Sequence, residues 1–285
     1  GYEFVVFSRS RKKNSNLIKD ISGDTDWSDA LEGVEIIIHC AAAVHQMNLS
    51  KKTLNSYQQL NVEGTLNLAE QAKANVKRFI FISSVKVNGE RTFKNSFSAD
   101  DPSNPQDPYG LSKERAEIGL KKIAKFSKME VVIIRPPLVY GPNPKGNLKK
   151  LAEHLQGKIP FVPFGLVTYN SRSLVYIGNL IDFICICIDH KAASNETFMI
   201  SDDSDLSTFD IISLISDSLD VKPILFPVPG FVLTLLFAVL GKKDQGTRLL
   251  GNLRVDVTKN KQLLGWSPKF SVKEGFQNSF KNFKN

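Results

Sequence analysis

Short apolar runs alternate along the first half of the chain with longer segments whose apolar residues recur every three or four positions. The runs lie at 2–7 (YEFVVF), 34–40 (VEIIIHC), 78–82 (RFIFI) and 131–135 (VVIIR). Runs apolar on both faces are characteristic of strands buried in a parallel sheet. The intervening patterns predict a short helix at 26–31 ended by Gly33, a long one over 53–74 interrupted by Gly64, and one that opens at Tyr109. Alternation of this kind predicts an α/β fold with a doubly wound parallel sheet. The stretch 86–108 is rich in Asn, Ser, Asp and Pro and has no period, and so long a loop inside a compact domain is expected to be functional. After residue 141 the texture changes. Pro142, Pro144, Gly146, Pro160 and Pro163 divide the chain into shorter helices, predicted near 147–156, 178–190, 207–219, 231–240 and 271–282. Residues 1–141 thus form the main domain, and 142–285 are mainly a smaller lobe with part of the chain returning to the main sheet.

Composition narrows the class without changing this picture. The chain has 285 residues, 42% hydrophobic and 23% charged, which is ordinary for a globular protein and excludes a disordered or fibrous one. Its net charge of +8 raises the question of nucleic acid, but the lysines are spread along the chain and no nucleic-acid motif accompanies them. A solvated basic surface is expected, with attraction to a diphosphate or an anionic membrane face next. Three cysteines (Cys40, Cys185, Cys187) form no disulfide framework, and the pair in FICICI reads as buried thiols. The absence of a secretory signal and a reducing environment fit the cytoplasm. The most apolar stretch, 231–240, is too short to span a bilayer and reads as a buried or interfacial helix, so no integral membrane segment is expected.

The chemistry is concentrated in two places. Ser83 and Ser84 follow the 78–82 run, at the carboxyl end of its strand, where ligands of open α/β sheets gather. Tyr109 and Lys113 stand four apart at the start of YGLSKERAEIGLKKIAKF, hence on one face of a helix. A lysine cation and the positive helix end would lower the phenol's pKa, making a group that moves a proton to or from an alcohol oxygen while a serine hydroxyl holds that oxygen. Taken alone, the Tyr-x-x-x-Lys pair reads more readily as a surface pair at a helix start.

With Ser84 before it and Asp107-Pro108 at the helix start, the pair resembles the extended short-chain dehydrogenase/reductase family, in its nucleotide-sugar epimerase/dehydratase/reductase branch. The segments RSLVYI, PVPGFVLTLLFAVLGKK and LLGNLRVDVTKNKQLLGWSP resemble bacterial UDP-sugar 4-keto-reductases and 4-epimerases of surface-polysaccharide synthesis. The resemblance implies a Rossmann-type sheet, NADP or NAD as cofactor, a UDP-sugar substrate, and redox chemistry at C4 of a hexose; it allows a homodimer. Ser84, Tyr109 and Lys113 would be catalytic, with Lys113 also on the nicotinamide ribose. Cofactor contacts would come from Arg9, Asp24, Ala41, Ala42 and Pro136, the last in RPPLVYGP. Asn147 and Leu148 would grip the substrate diphosphate, with Arg172 and, as a second candidate, Arg248. Asn61 matches a helix position near the active site. Where many epimerases carry a tyrosine this chain has Asn88, a departure that bears on the sugar pocket.

Two further departures follow. The family's glycine-rich turn is missing, and residues 2–7 match its second strand, so the first strand, glycine loop and first helix are absent; an open slot and weak dinucleotide binding are expected of the 285 residues. The segment Ser8–Arg11 has no acid and two arginines, which favours NADP, with Arg9 on the 2′-phosphate, and an exchangeable cofactor, hence a reductase rather than an epimerase. His39 and His45 have no acidic neighbours and are expected to be structural, with no metal site.

Overall fold

A computed structural model describes residues 2–8, 20–43, 51–241 and 243–283. In its first half a short helix α1 (Ser28–Leu31) precedes strand β1 (Ile36–His39). A long helical segment follows in three parts: α2 (Lys51–Ser56), a π-helix (Tyr57–Gly64) and α3 (Thr65–Ala72). Then come β2 (Arg78–Ile82), a 3₁₀ turn (Val85–Val87), α4 (Pro108–Lys125) and β3 (Glu130–Arg135). The second half contains β4 (Leu138–Tyr140), α5 (Gly146–Leu155), β5 (Phe161–Val162), β6 (Leu174–Tyr176), α6 (Ile177–Asp189), β7 (Thr197–Met199) and α7 (Thr208–Leu219). After β8 (Ile224–Leu225) the chain is helical: α8 (Gly230–Val239), α9 (Lys243–Leu250), α10 (Thr258–Leu264) and α11 (Val272–Phe280).

The main sheet runs β1-β2-β3-β7, parallel throughout. Alternation along its strands feeds two layers. Phe79, Phe81, Val131 and Ile133 face α3 and α4, meeting Leu68, Ala69 and Leu120. Ile80, Val132 and Ile134 face α6, meeting Phe183, Cys187 and Trp266. A third core joins α5, α7 and α11 with β4 and β6 in the C-terminal lobe. Gly64 lets the long helical segment press on residue 21: a Cβ there would lie 2.7 Å from the Ile21 side chain and 3.1 Å from its backbone carbon.

Two expectations need correction. Residues 2–6 form no strand, and among the described residues β1 is paired with β2 only. A ladder needs a partner on at least one side. Here Tyr2, Phe4, Val5 and Val6 are exposed, Tyr2 donates a hydrogen bond to Asp189, and only Phe7 turns inward, beside Trp27. Secondly, Cys185 is exposed and Cys187 alone of the FICICI pair is buried, because positions two apart on α6 point to nearly opposite sides of the helix. The 86–108 stretch is anchored on the C-terminal lobe: Thr92 bridges to Asn252 and Phe97 to Val255.

Candidate functional site

The carboxyl ends of β1, β2 and β3 converge on the first turns of α4. Pro108 at the first helical position and Asp107 before it start that helix, and the Asp107 carboxylate accepts from the Gly110 N–H at 2.6 Å. Gly110 is required by a close approach, since a Cβ would lie 2.7 Å from the carbonyl oxygen of Lys86. The turn that begins at Ser84 therefore abuts the turn that carries Tyr109. Ser84 is extended, caps the 3₁₀ turn, and its hydroxyl accepts from the Lys86 N–H at 3.3 Å. Lys86 also pairs with Asp107 and, at 2.5 Å, with Glu90.

Tyr109 is partly buried, its ring edge-on to Tyr57 with centroids 5.9 Å apart. Burial, then the Asp107 carboxylate and the Tyr57 phenol, push its pKa up to about 12. The expected lowering by Lys113 is not found. Lys113 is 1% exposed, and its ammonium turns under the sheet end, donating to the Ile82 carbonyl at 2.9 Å and lying 4.4 Å from the centre of the Phe81 ring. Burial brings its pKa down to about 8, against the opposing pull of Cys40 and Glu117. Among the described residues no hydrogen bond joins Tyr109 to Ser84.

The π-helix places Asn61 as a clamp between β1 and α4. Its amide accepts from the Ala43 N–H at 2.7 Å and donates to the Ala43 carbonyl at 3.0 Å and the Ser112 hydroxyl at 2.9 Å. Below the site, Glu117 receives two bonds from Arg135, at 2.9 and 2.5 Å, and one from Ser83 at 2.5 Å. Arg135 also donates to Asn88 at 2.9 Å. All four of these side chains are buried, so this network ties β2, β3 and α4 together at the ligand end. His39 is structural: it bonds Thr65 at 3.0 Å, stacks on Phe81, and burial takes its pKa down to about 3.

A model of the NAD dependent epimerase/dehydratase family matches residues 1–201. The chain belongs to that family. Among curated proteins it is 44% identical over 269 residues to a UDP-glucose 4-epimerase of Vibrio cholerae, covering 93% of this chain and 82% of that one. It is 31% identical over 236 residues to an N-acetyl-α-D-glucosaminyl-diphospho-ditrans,octacis-undecaprenol 4-epimerase of Escherichia coli O157:H7, covering 79% and 69%. Among solved structures, a UDP-glucuronic acid 4-epimerase of Bacillus cereus in complex with NAD superposes with a TM-score of 0.74 at 24% identity, covering 95% of this chain and 81% of that one. At that identity the likeness establishes the Rossmann-type fold.

The other positions singled out in the sequence lie in different parts of the fold. Arg172 and Arg248 come together around one carboxylate: Arg248 lies 3.6 Å from Glu90, and both Glu90 and Arg248 act electrostatically on Arg172, whose pKa burial lowers. Arg172 also donates to the Gly251 carbonyl at 3.1 Å. Ala41 and Ala42 follow β1, and the Pro136 carbonyl accepts from the Val85 N–H at 3.0 Å, so the segment after β3 borders the Ser84 turn. Asn147 and Leu148 are not brought to the arginines by any contact among the described residues; Asn147 is exposed in the first turn of α5, and Leu148 is buried in the C-terminal core. Asp24 is exposed in the loop before α1. Arg9 and His45 lie outside the described residues. Glu90, Lys86, Tyr57 and Glu117 carried no signal beyond being polar or aromatic beside a motif. A cleft of about 380 Å³ opens on the α4 face bearing Glu114, Glu117 and Lys121, away from Tyr109.

Proposed function

We propose that this protein inverts C4 of a UDP-hexose with NAD as its cofactor. The observation that carries the reading is the meeting of the Ser84 turn, Tyr109 and Lys113 at the ligand end of β1–β3. It is supported by the 44% identical relative, which is a UDP-glucose 4-epimerase. Fit to a dinucleotide rests on Lys113. This ammonium is buried, yet Ile82 takes only one of its three N–H donors, which leaves two for the hydroxyls of a ribose at the strand ends. Ala41, Ala42 and Pro136 would line the same cofactor.

The nicotinamide, when bound, supplies hydride transfer to and from C4. The protein's side chains handle the proton. The Tyr109 phenolate oxygen takes the proton from O4 and, as the phenol, later returns it to the same oxygen on the inverted face, while the Ser84 hydroxyl holds O4 in place. With its pKa raised to about 12 by burial and Asp107, the phenol stays protonated at neutral pH until a cation approaches. Charge on a bound pyridinium would favour the phenolate only when the site is filled. Arg172 and Arg248 would bind the substrate diphosphate, whose oxygens suit planar guanidinium groups. A 4-keto-reductase would use the same side chains, and the acid-free Ser8–Arg11 segment favours it; net consumption of NADPH would be its signature. The test is Tyr109→Phe. Turnover of UDP-galactose should fall about a hundredfold or more with substrate binding and fold retained. More than a tenth of wild-type turnover would overturn the assignment.

A further inference from the structure

The C-terminal lobe carries an element that the proposed site does not use. Helix α8 buries Leu233 and half-buries Phe237, which packs on Gly246 of α9. Its other sides face outward. Phe231, Leu235 and Val239, four apart, are 77, 64 and 76% exposed, and Val232, Leu236 and Leu240 form a second exposed row. Just before the helix, exposed Phe226 lies beside exposed Phe161 across the β5/β8 pair, with ring centroids 5.8 Å apart, which extends the apolar surface. From Asp220 to Asp244 the sequence has three lysines, with one aspartate at each end, in a chain of net charge +8. No helix among the described residues is long and apolar enough to cross a membrane.

We propose that α8 docks on an anionic phospholipid surface and lies in the plane of its interface. A helix apolar on nearly every exposed side, too short to span and carried by a chain of net charge +8, matches a headgroup boundary that offers hydrocarbon below and negative charge above. A second copy of the chain fits less well, because a two-fold interface would bring together two chains that each carry a net charge of +8. The same helical hairpin carries Arg248 on α9, so docking would set the arginine pair close to the membrane.

The experiment is co-sedimentation of the intact protein with vesicles. Vesicles of equal parts phosphatidylglycerol and phosphatidylcholine should pull the protein down, and vesicles of phosphatidylcholine alone should bind about tenfold less or weaker. The triple substitution F231S/L235S/V239S removes only exposed apolar groups and should lose about tenfold or more of the anionic-vesicle binding. Unchanged turnover and thermal unfolding of that variant would show that its fold is intact. Wild-type protein left in the supernatant with both vesicles overturns the proposal, as does a triple variant that binds like wild type. So does a wild-type dimer that the triple substitution turns into a monomer without vesicle binding.

Discussion

Replacing Lys113 by Met should stabilise the protein near neutral pH while abolishing its activity. Lys113 is 1% exposed, and burial lowers its pKa from an ordinary 10.5 to about 8. Below pH 8 both the folded and unfolded states carry the charge, but the folded state holds it in a poor environment. The gap between 10.5 and about 8 corresponds to a cost of about 3 kcal/mol at pH 7. Methionine has a similar reach and no charge, so it escapes that cost. It also loses the bond to the Ile82 carbonyl, worth about 1 kcal/mol. The net expectation is a gain of about 2 kcal/mol at pH 7. Between pH 8 and 10.5 the unfolded state binds more protons at this position than the folded state, so wild-type stability rises with pH relative to the variant. By pH 10.5 the advantage of Met should have fallen by about 3 kcal/mol, and the order of the two proteins should reverse. Urea unfolding of both proteins at a series of pH values from 7 to 10.5 measures this directly, because other titrations are common to the two and cancel in the difference. A stability difference that does not change with pH would refute the reasoning.

Two further outcomes follow from the polar networks. Glu117→Gln should cost about 3–5 kcal/mol in urea unfolding, since it leaves the buried Arg135 guanidinium without its countercharge; a loss below about 1 kcal/mol would show that the pair does not hold β3 to α4. Arg172→Ala and Arg248→Ala should each raise KM for a UDP-hexose by about ten- to a hundredfold with little change in kcat, as expected for a lost charge-assisted phosphate contact. Unchanged KM in both would remove the arginine pair from the substrate site.

What could be read from the sequence is what depends on local order. Strands β2 and β3 are bounded by their own apolar runs, and α4 announces itself by Asp107, Pro108 and the helical pattern that follows. Residues 2–6 carry an equally good strand pattern and form none, because pairing is a property of the neighbour. Helices α9 and α10 were not expected: α10 is short and polar (TKNKQLL), ended by Gly265 in the left-handed conformation, and its fixed points are contacts made by buried Asn260 and Leu264. The spacing of Tyr109 and Lys113 put them on one face of α4, but it could not show that the ammonium turns to Ile82 and Phe81. Nor could it show that Lys86 and Glu90 connect the Asp107 cap to an arginine 141 positions after it, since long-range charge pairs leave no periodic trace.

In the proposed reaction C4 of a UDP-hexose is inverted by loss and return of its own hydride, with Tyr109 handling the proton at O4. The direct measurement is proton NMR of UDP-galactose incubated in D₂O with the intact protein and NAD. The account predicts that UDP-glucose appears with hydrogen, not deuterium, at C4, that NADH does not accumulate, and that Tyr109→Phe stops the conversion. Deuterium at C4 of the product, or no conversion by wild-type protein that demonstrably binds both NAD and UDP-galactose, would contradict it.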